Sequence, residues 1–234
     1  FLADSGRKQV HKRLWIQTTN KMEVKAVKTL TGQDKPVTVF SLRDFQASQI
    51  DYPSSYAELY QGTVKDKPRP DTHQIEAIKA VKLRLQSLDR GQMIMACGTG
   101  KTFTTLWIKE ALNAHTTLVL LPSLSLLSQT MREWAWAGNT EFDILNVCSD
   151  KSVGKKTEDM DPSETPFPVT SEVDEIARFI KTPKPKVIFC TYQSSPLIAK
   201  AQLDRSVPTF DLTIADEAHR CAGKADAGFA TVLD

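Results

Sequence analysis

The stretch Met93-Ile-Met-Ala-Cys-Gly-Thr-Gly-Lys-Thr102 has the residue types needed to hold a nucleotide phosphate. Glycine at 98 and 100 lets backbone N–H groups curl round phosphate oxygens, and a helix starting at Lys101 adds the positive end of its dipole. Lys101 can reach the β- and γ-phosphates, and the Thr102 hydroxyl is a suitable oxygen ligand for Mg²⁺. Gly98, Thr99, Gly100, Lys101 and Thr102 together form a candidate phosphate cradle. The general pattern has Gly where this chain has Met95. The bland alternative is a glycine turn ahead of a helix. An apolar run before, Gly-Lys-Thr itself and a helical pattern after favour the phosphate reading.

A second cluster is Asp211-Leu-Thr-Ile-Ala-Asp-Glu-Ala-His219, an apolar run ending in adjacent carboxylates. Asp216 is placed to hold Mg²⁺ through its water shell, and Glu217 to polarise an attacking water. Adjacent acids after a strand also suit a helix N-terminus. Downstream of a phosphate loop, the metal-and-water reading prevails. His219 follows the two acids; a lone histidine there would otherwise be read as surface or packing.

The elements that must position these groups follow from periodicity. Continuous apolar runs at Gln92–Cys97, Thr117–Leu121, Phe142–Cys148, Lys186–Thr191 and Asp211–Ala215 read as strands of a parallel sheet covered on both faces. Helices fit at His73–Leu88, Lys101–Ala114, Leu124–Ala137 and Glu172–Ile180. In the first of these, Ile75, Ile78, Val81, Leu85 and Leu88 form the apolar stripe. Ser149–Thr170 is rich in Lys, Asp, Glu and Pro and reads as a mobile insertion. Ahead of these elements, Arg13–Thr18 and Val37–Phe40 read as strands. A helix from the capping-box spacing Asn20-x-x-Glu23 to about Leu30 lies between them, and Ser41-Leu-Arg-Asp44 is a further helix start. This β-α-β-α unit, most simply with parallel strands, is too short to stand alone. Asp51–Pro70, punctuated by Pro53, Gly62, Pro68 and Pro70, reads as a linker.

Composition sets outer bounds. The chain has 234 residues, 41% hydrophobic and 25% charged, as in a soluble globular protein, and its net charge of +2 excludes a generalised polycationic grip on nucleic acid. Basic residues crowd the stretch from Arg7 to Lys28, which reads first as a solvated surface and second as a phosphate-facing one. The four cysteines (Cys97, Cys148, Cys190, Cys221) have no metal-ligand spacing. Three of them end apolar runs as small core residues, which suits a reducing, cytoplasmic compartment. No run approaches a membrane span. Phe1 is not a natural start, so the chain reads as part of something longer.

With these motifs in order, the sequence resembles the first RecA-like domain of superfamily 2 helicases and translocases. Asp216-Glu-Ala-His219 is similar to their DEAH box. Leu118-Val-Leu-Leu-Pro-Ser-Leu-Ser-Leu-Leu-Ser-Gln129 resembles motif Ia, and Val187-Ile-Phe-Cys-Thr-Tyr-Gln193 resembles the Ib region. The resemblance puts Pro122, Ser123, Thr191 and Tyr192 on the nucleic-acid side; Pro122-Ser123 read from the residues alone is equally a helix start. Arg69-Pro-Asp-Thr-His-Gln74 resembles the element in which a glutamine reads adenine, with Asp71-Thr72 interrupting the usual wording. Asp71-x-x-Gln74 also has capping-box spacing, so Gln74 either reads adenine or caps the helix. His219 by the same resemblance couples the site to a second motor lobe.

A narrower likeness rests on His11-Lys-Arg-Leu-Trp-Ile-Gln-Thr-Thr-Asn20, Phe40-Ser-Leu-Arg-Asp-Phe-Gln-Ala-Ser48, MACGTGKT, FCTYQSS and IADEAHRCAG. Together these resemble the motor region of type ISP single-chain restriction-modification enzymes and related bacterial helicases. The implied fold class is α/β: residues 1–50 as the C-terminal part of a restriction-endonuclease-like domain, 51–70 as linker, and 71–234 as an incomplete first RecA-like domain. The implied activity is ATP- and Mg²⁺-dependent translocation on duplex DNA. The implied partners are a second RecA-like domain and nuclease, methyltransferase and target-recognition domains in the same polypeptide. The nuclease carboxylates would precede Phe1. Without a second lobe and its arginine, the segment is expected to bind ATP and turn it over poorly. An RNA- or DNA-directed helicase and a nucleotide-gated DNA-binding module are the alternative functions.

Overall fold

The computed structural model describes residues 13–20, 22, 23, 25, 26, 29, 37–46, 48–148 and 169–218. His219, Cys221 and most of the insertion expected at Ser149–Thr170 lie outside the described residues. The described residues fall into two compact units, one up to Asp66 and one from Lys67 onward.

In the first unit, strand β1 (Arg13–Ile16) pairs in parallel with β2 (Val37–Phe40), in the register Arg13↔Val37 to Ile16↔Phe40. Lys25, Ala26 and Thr29 are helical, as a crossover between parallel strands requires. Helix α1 (Leu42–Gln46) starts where Ser41 donates from its main-chain N and its Oγ to Asp44 Oδ2, at 2.8 and 2.7 Å. Asn20, expected to cap its own helix, instead accepts a 2.7 Å hydrogen bond from the Arg43 N–H and caps α1. The supposed linker also has structure of its own. Strands β3 (Ile50–Asp51) and β4 (Thr63–Val64) form a short antiparallel hairpin whose loop holds a 3₁₀ helix, Tyr56–Gln61. Pro53 and Gly62 sit inside that loop, where they do not interrupt a ladder.

The second unit is built on a five-stranded parallel sheet in the order β7-β6-β8-β5-β9. Its strands are β5 (Thr116–Leu121), β6 (Asp143–Val147), β7 (Val169–Thr170), β8 (Lys186–Thr191) and β9 (Leu212–Ala215). The helices are α2 (Thr72–Arg84), α3 (Lys101–Ala111), α4 (Leu124–Ala137), α5 (Val173–Ile180) and α6 (Ser195–Gln202). Alternation along β5 and β8 feeds two cores. Leu118, Leu120, Ile188 and Cys190 pack with Ile176 and Ile180 of α5 and Ile198 of α6. Val119, Leu121, Val187 and Phe189 pack with Leu106 of α3 and Leu127, Met131 and Trp134 of α4. Every residue of β5 and β8 is buried, which is why both strands read as unbroken apolar runs. Lys186 is the exception in composition. Its ammonium turns back to the carbonyls of Ile180 (3.1 Å) and Thr182 and closes the end of α5. Among the described residues no helix is long and apolar enough to cross a membrane.

Two expectations need correction. Gln92–Cys97 belongs to no sheet and has no regular secondary structure, and Cys97 already lies in the turn that follows. Ile94 is accordingly 86% exposed and Cys97 is exposed rather than a core residue, whereas Cys148 and Cys190 are buried. Helix α2 forms, yet its apolar stripe is not a core face: Ile75 and Leu88 are exposed, and the helix's one buried residue is Gln74.

Trp134 joins the sheet to the phosphate loop. It is fully buried, meets Phe189 edge-on at 5.6 Å, and donates from Nε1 to the Thr102 carbonyl at 2.9 Å. Trp134→Phe removes that donor and opens a void beside Phe189. It is expected to cost about 2 kcal/mol in denaturant unfolding, with the slope against denaturant unchanged.

Candidate active site

The loop between the 92–97 run and α3 is shaped by two left-handed residues. Gly98 has φ 77° and Gly100 φ 75°, a region that L side chains rarely occupy. At Gly100 a Cβ would also lie 2.5 Å from Gln74 Nε2. Thr99 stitches the turn, donating from Oγ1 to the Ala96 carbonyl at 2.7 Å. Thr104, fully buried in α3, donates from its N–H and its Oγ1 to the Gly100 carbonyl, each at 3.0 Å. The loop therefore enters the helix with the carbonyls of Ala96 and Gly100 already bonded.

Gln74 joins α2 to this loop. Its Oε1 accepts from the Asp71 N–H at 2.8 Å, completing the capping box, while its Nε2 donates to the Thr99 carbonyl at 3.0 Å and approaches that of Gly100 at 3.5 Å.

At the carboxyl end of the sheet, β9 delivers the acids. The Asp216 N–H donates to the Leu120 carbonyl of β5 at 3.0 Å, extending the ladder one residue past β9. The Asp216 carbonyl accepts from the Tyr192 hydroxyl at 2.6 Å. Glu217 then turns sharply, with φ 54°, a conformation that costs about 1–2 kcal/mol for a residue with a side chain. The turn sends its carboxylate to Lys101, Nζ to Oε1 3.3 Å, joining groups 116 positions apart. That hydrogen bond, against partial desolvation, holds the Lys101 ammonium above its ordinary range. Asp216 is raised as well: burial, and then the charge of Glu217, lift its carboxyl above the usual carboxylate range, with Lys101 opposing.

The structure thus brings Gly98, Thr99, Gly100, Lys101, Thr102, Gln74, Asp216 and Glu217 into one constellation. The donor set of Thr102 hydroxyl and Asp216 carboxylate is all oxygen and suits Mg²⁺. Ser123 accepts from the Leu126 N–H at 3.3 Å and caps α4, directly after the half-buried Pro122. Thr191 and Tyr192 face inward: they are 3% and 1% exposed, and the Thr191 hydroxyl donates to Ser194 Oγ at 2.9 Å. The bonds from Trp134 to Thr102 and from Tyr192 to Asp216 were not foreseeable from motif spacing. Only the sheet order, which sets the ends of β8, β5 and β9 side by side, points to the second.

The family model described as type III restriction enzyme, res subunit, matches residues 67–233, more than half of the chain. The chain belongs to that family. A model described as restriction endonuclease matches residues 1–61. Among solved structures, the chain is similar over its full length to the ATP-dependent type ISP restriction-modification enzyme LlaBIII bound to DNA, at 29% identity and TM-score 0.83. It is also similar over 71% of its length to a nuclease-deletion mutant of the type ISP enzyme LlaGI in complex with a DNA substrate mimic, at 34% identity and TM-score 0.58. It covers 16% of each of those chains. A curated relative, "Probable helicase A859L" of African swine fever virus (strain Badajoz 1971 Vero-adapted), is 31% identical over 65% of this chain, which spans 16% of that relative's length. The res-subunit family places the second unit as a helicase-like domain of the first RecA-like type, following an endonuclease-like segment.

Glycine substitutions separate backbone strain from the Gln74 contact. Gly98→Ala, with open space around the new methyl, is expected to cost about 1–2 kcal/mol in denaturant unfolding. Gly100→Ala is expected to cost more, and the excess is expected to vanish in a Gln74→Ala background.

The raised Asp216 pKa has a definite sign. An acid shifted upward in the fold prefers its protonated form, so its ionisation opposes folding. That penalty is absent below the ordinary aspartate pKa and complete once pH exceeds the folded value. Carboxyl-labelled NMR should find Asp216 titrating above free aspartate, and Glu217→Gln should move it back down.

Proposed function

We propose that this chain carries the first lobe of an ATP-driven, DNA-translocating motor in a restriction-modification polypeptide. Residues 1–50 then form the end of a nuclease-like domain, 51–70 a connector and 71–234 the motor lobe, with the residues between β6 and β7 as an insertion in it. The observation that carries the reading is the 3.3 Å contact between Lys101 of the phosphate loop and Glu217 of the acidic pair. It brings together the two side chains to which this reading assigns phosphate binding and water orientation.

In this reading the main-chain N–H groups of Gly98–Thr102 and the start of α3 cradle the phosphates, and Lys101 leaves Glu217 for the β- and γ-phosphates. Thr102 and Asp216 hold Mg²⁺, which when bound neutralises charge on the phosphate oxygens. Glu217, released by Lys101, orients the attacking water and receives its proton. Gln74 contacts adenine from its position over the loop, and His219 couples the site to the second lobe. Pro122 and Ser123, at the start of α4, face the nucleic acid. Thr191 and Tyr192, whose side chains are buried, contribute there through the main chain of their turn only. Duplex DNA is the substrate track, because both type ISP relatives were solved with DNA or a DNA mimic. Catalysis needs the second lobe to supply an arginine, so the 234-residue segment alone binds ATP and turns it over slowly. The polypeptide is cytoplasmic.

ATP hydrolysis by the intact polypeptide is expected to rise on adding linear duplex DNA. Lys101→Ala should abolish the activity, on the order of a hundredfold or more, and Glu217→Gln should do the same while leaving ATP binding in place. Stimulation by RNA and not by DNA would replace the proposal with an RNA-directed helicase. ATP-dependent DNA affinity without turnover would replace it with a nucleotide-gated binding module.

A further inference from the structure

We propose that Tyr192 is a positioning residue for the acidic pair: its hydroxyl fixes the Asp216–Glu217 peptide in the orientation that aims the Glu217 carboxylate at the phosphate site. The catalytic consequence rests on the ATPase reading above; the conformational one does not.

The sheet dictates the meeting. β5 lies between β8 and β9, with Leu121 opposite Thr191 and Leu120 opposite Ala215. Tyr192 and Asp216 are thus the first residues to leave β8 and β9, on either side of β5. The N–H of Asp216 is still held by the Leu120 carbonyl. Its carbonyl lies beyond the ladder and accepts the Tyr192 hydroxyl at 2.6 Å. The tyrosine cannot swing away. Its ring is 1% exposed within the core that holds Leu118, Leu120 and Ile198, and its 3₁₀ turn (Tyr192–Ser194) is pinned by the bond from Thr191 to Ser194.

The bonded carbonyl belongs to the peptide plane that sets φ of Glu217. At φ 54° Glu217 occupies a region unfavourable to any residue with a Cβ. Rotation of that plane to negative φ relieves the strain and carries the carboxylate away from its position 3.3 Å from Lys101. The Tyr192 hydroxyl opposes this rotation. A buried ring in this place is not a surface for stacking a base; it is a brace set behind the catalytic turn.

The test is Tyr192→Phe in the intact polypeptide, which keeps the ring and removes one oxygen. The DNA-stimulated kcat is expected to fall roughly tenfold or more, with KM for ATP and duplex affinity within about twofold of wild type. Hydrogen exchange at the Glu217 amide should quicken, while the amides of β5 and β8 keep their protection. Wild-type kcat with wild-type exchange overturns the proposal. So does a lower kcat with unchanged exchange at Glu217, or weakened duplex binding at unchanged kcat, which would make Tyr192 a nucleic-acid contact. If the wild-type polypeptide hydrolyses no ATP, the ATPase reading fails on its own, and exchange at Glu217 in the two proteins still decides whether Tyr192 holds the peptide.

Discussion

β5 is bonded along both edges, to β8 on one side and β9 on the other, and is buried along its whole length. Its parallel neighbours end within one residue of each other, β8 opposite Leu121 and β9 opposite Leu120, so the residues that follow each strand emerge close together: Pro122 after β5, Tyr192 after β8, Asp216 after β9. Leu118 and Leu120 engage one helical layer, Val119 and Leu121 the other. A slip of one residue would exchange these faces and displace Asp216 from the Leu120 carbonyl. The site therefore inherits its precision from a strand that is buried along its whole length and bonded on both edges. Helix α3, which begins at Lys101, is anchored to the same core through Leu106, and Trp134 ties its first turn to α4.

Where apolar residues were continuous and covered, the elements were legible. Helix α4 runs from Leu124 to Ala137 as its periodicity requires, bounded by the Ser123 cap and Gly138. β8 occupies Lys186–Thr191 in full. The run Gln92–Cys97 has the same composition and is not a strand. A strand is a property of its neighbours, and periodicity within a segment carries no information about what lies alongside it. The stripe on α2 misled for a related reason: its spacing is helical and the helix forms, but no described layer covers Ile75 or Leu88. Asn20 shows the local version of the limit. Capping-box spacing was present at Asn20-x-x-Glu23, and the side chain capped a different helix, 23 residues on.

At the site, the motifs picked out the 98–102 loop and the acids that the fold brings together, but not the bonds that hold them. Gln74 is instructive. Spacing gave it a helix cap and resemblance an adenine contact; the structure shows the cap and, beside it, a bond to the loop ahead of α3. An amide has distinct acceptor and donor ends. The cap engages Oε1, and by doing so turns Nε2 toward Thr99 and Gly100. Spacing along one helix could show the first bond only; the second crosses to a loop 25 positions away. Thr191 and Tyr192 were placed by resemblance at the nucleic-acid face, and their side chains lie inside because the polypeptide turns inward at the end of β8.

The energies at the acidic pair explain how a resting contact and a working one coexist. The Lys101 and Glu217 side chains are 32% and 31% exposed, so their ion pair belongs with partly solvated bridges worth about 0–1 kcal/mol. Such a bond does not lock the site; a phosphate bearing more than one negative charge competes for the lysine easily. The backbone is held more firmly. The left-handed turn at Glu217 costs about 1–2 kcal/mol, and a buried hydroxyl-to-carbonyl hydrogen bond returns about 0.5–1.5 kcal/mol. On the proposed reading, that bond and the one from the Asp216 N–H to Leu120 are what keep the turn in place when Lys101 departs. What changes as Lys101 leaves is the charge facing Glu217, while the direction of its side chain is set by the main chain. On the proposed ATPase reading, a carboxylate aimed by its main chain, and freed of its counter-ion only when phosphate draws the lysine away, would be poised to receive a proton from water once nucleotide is bound.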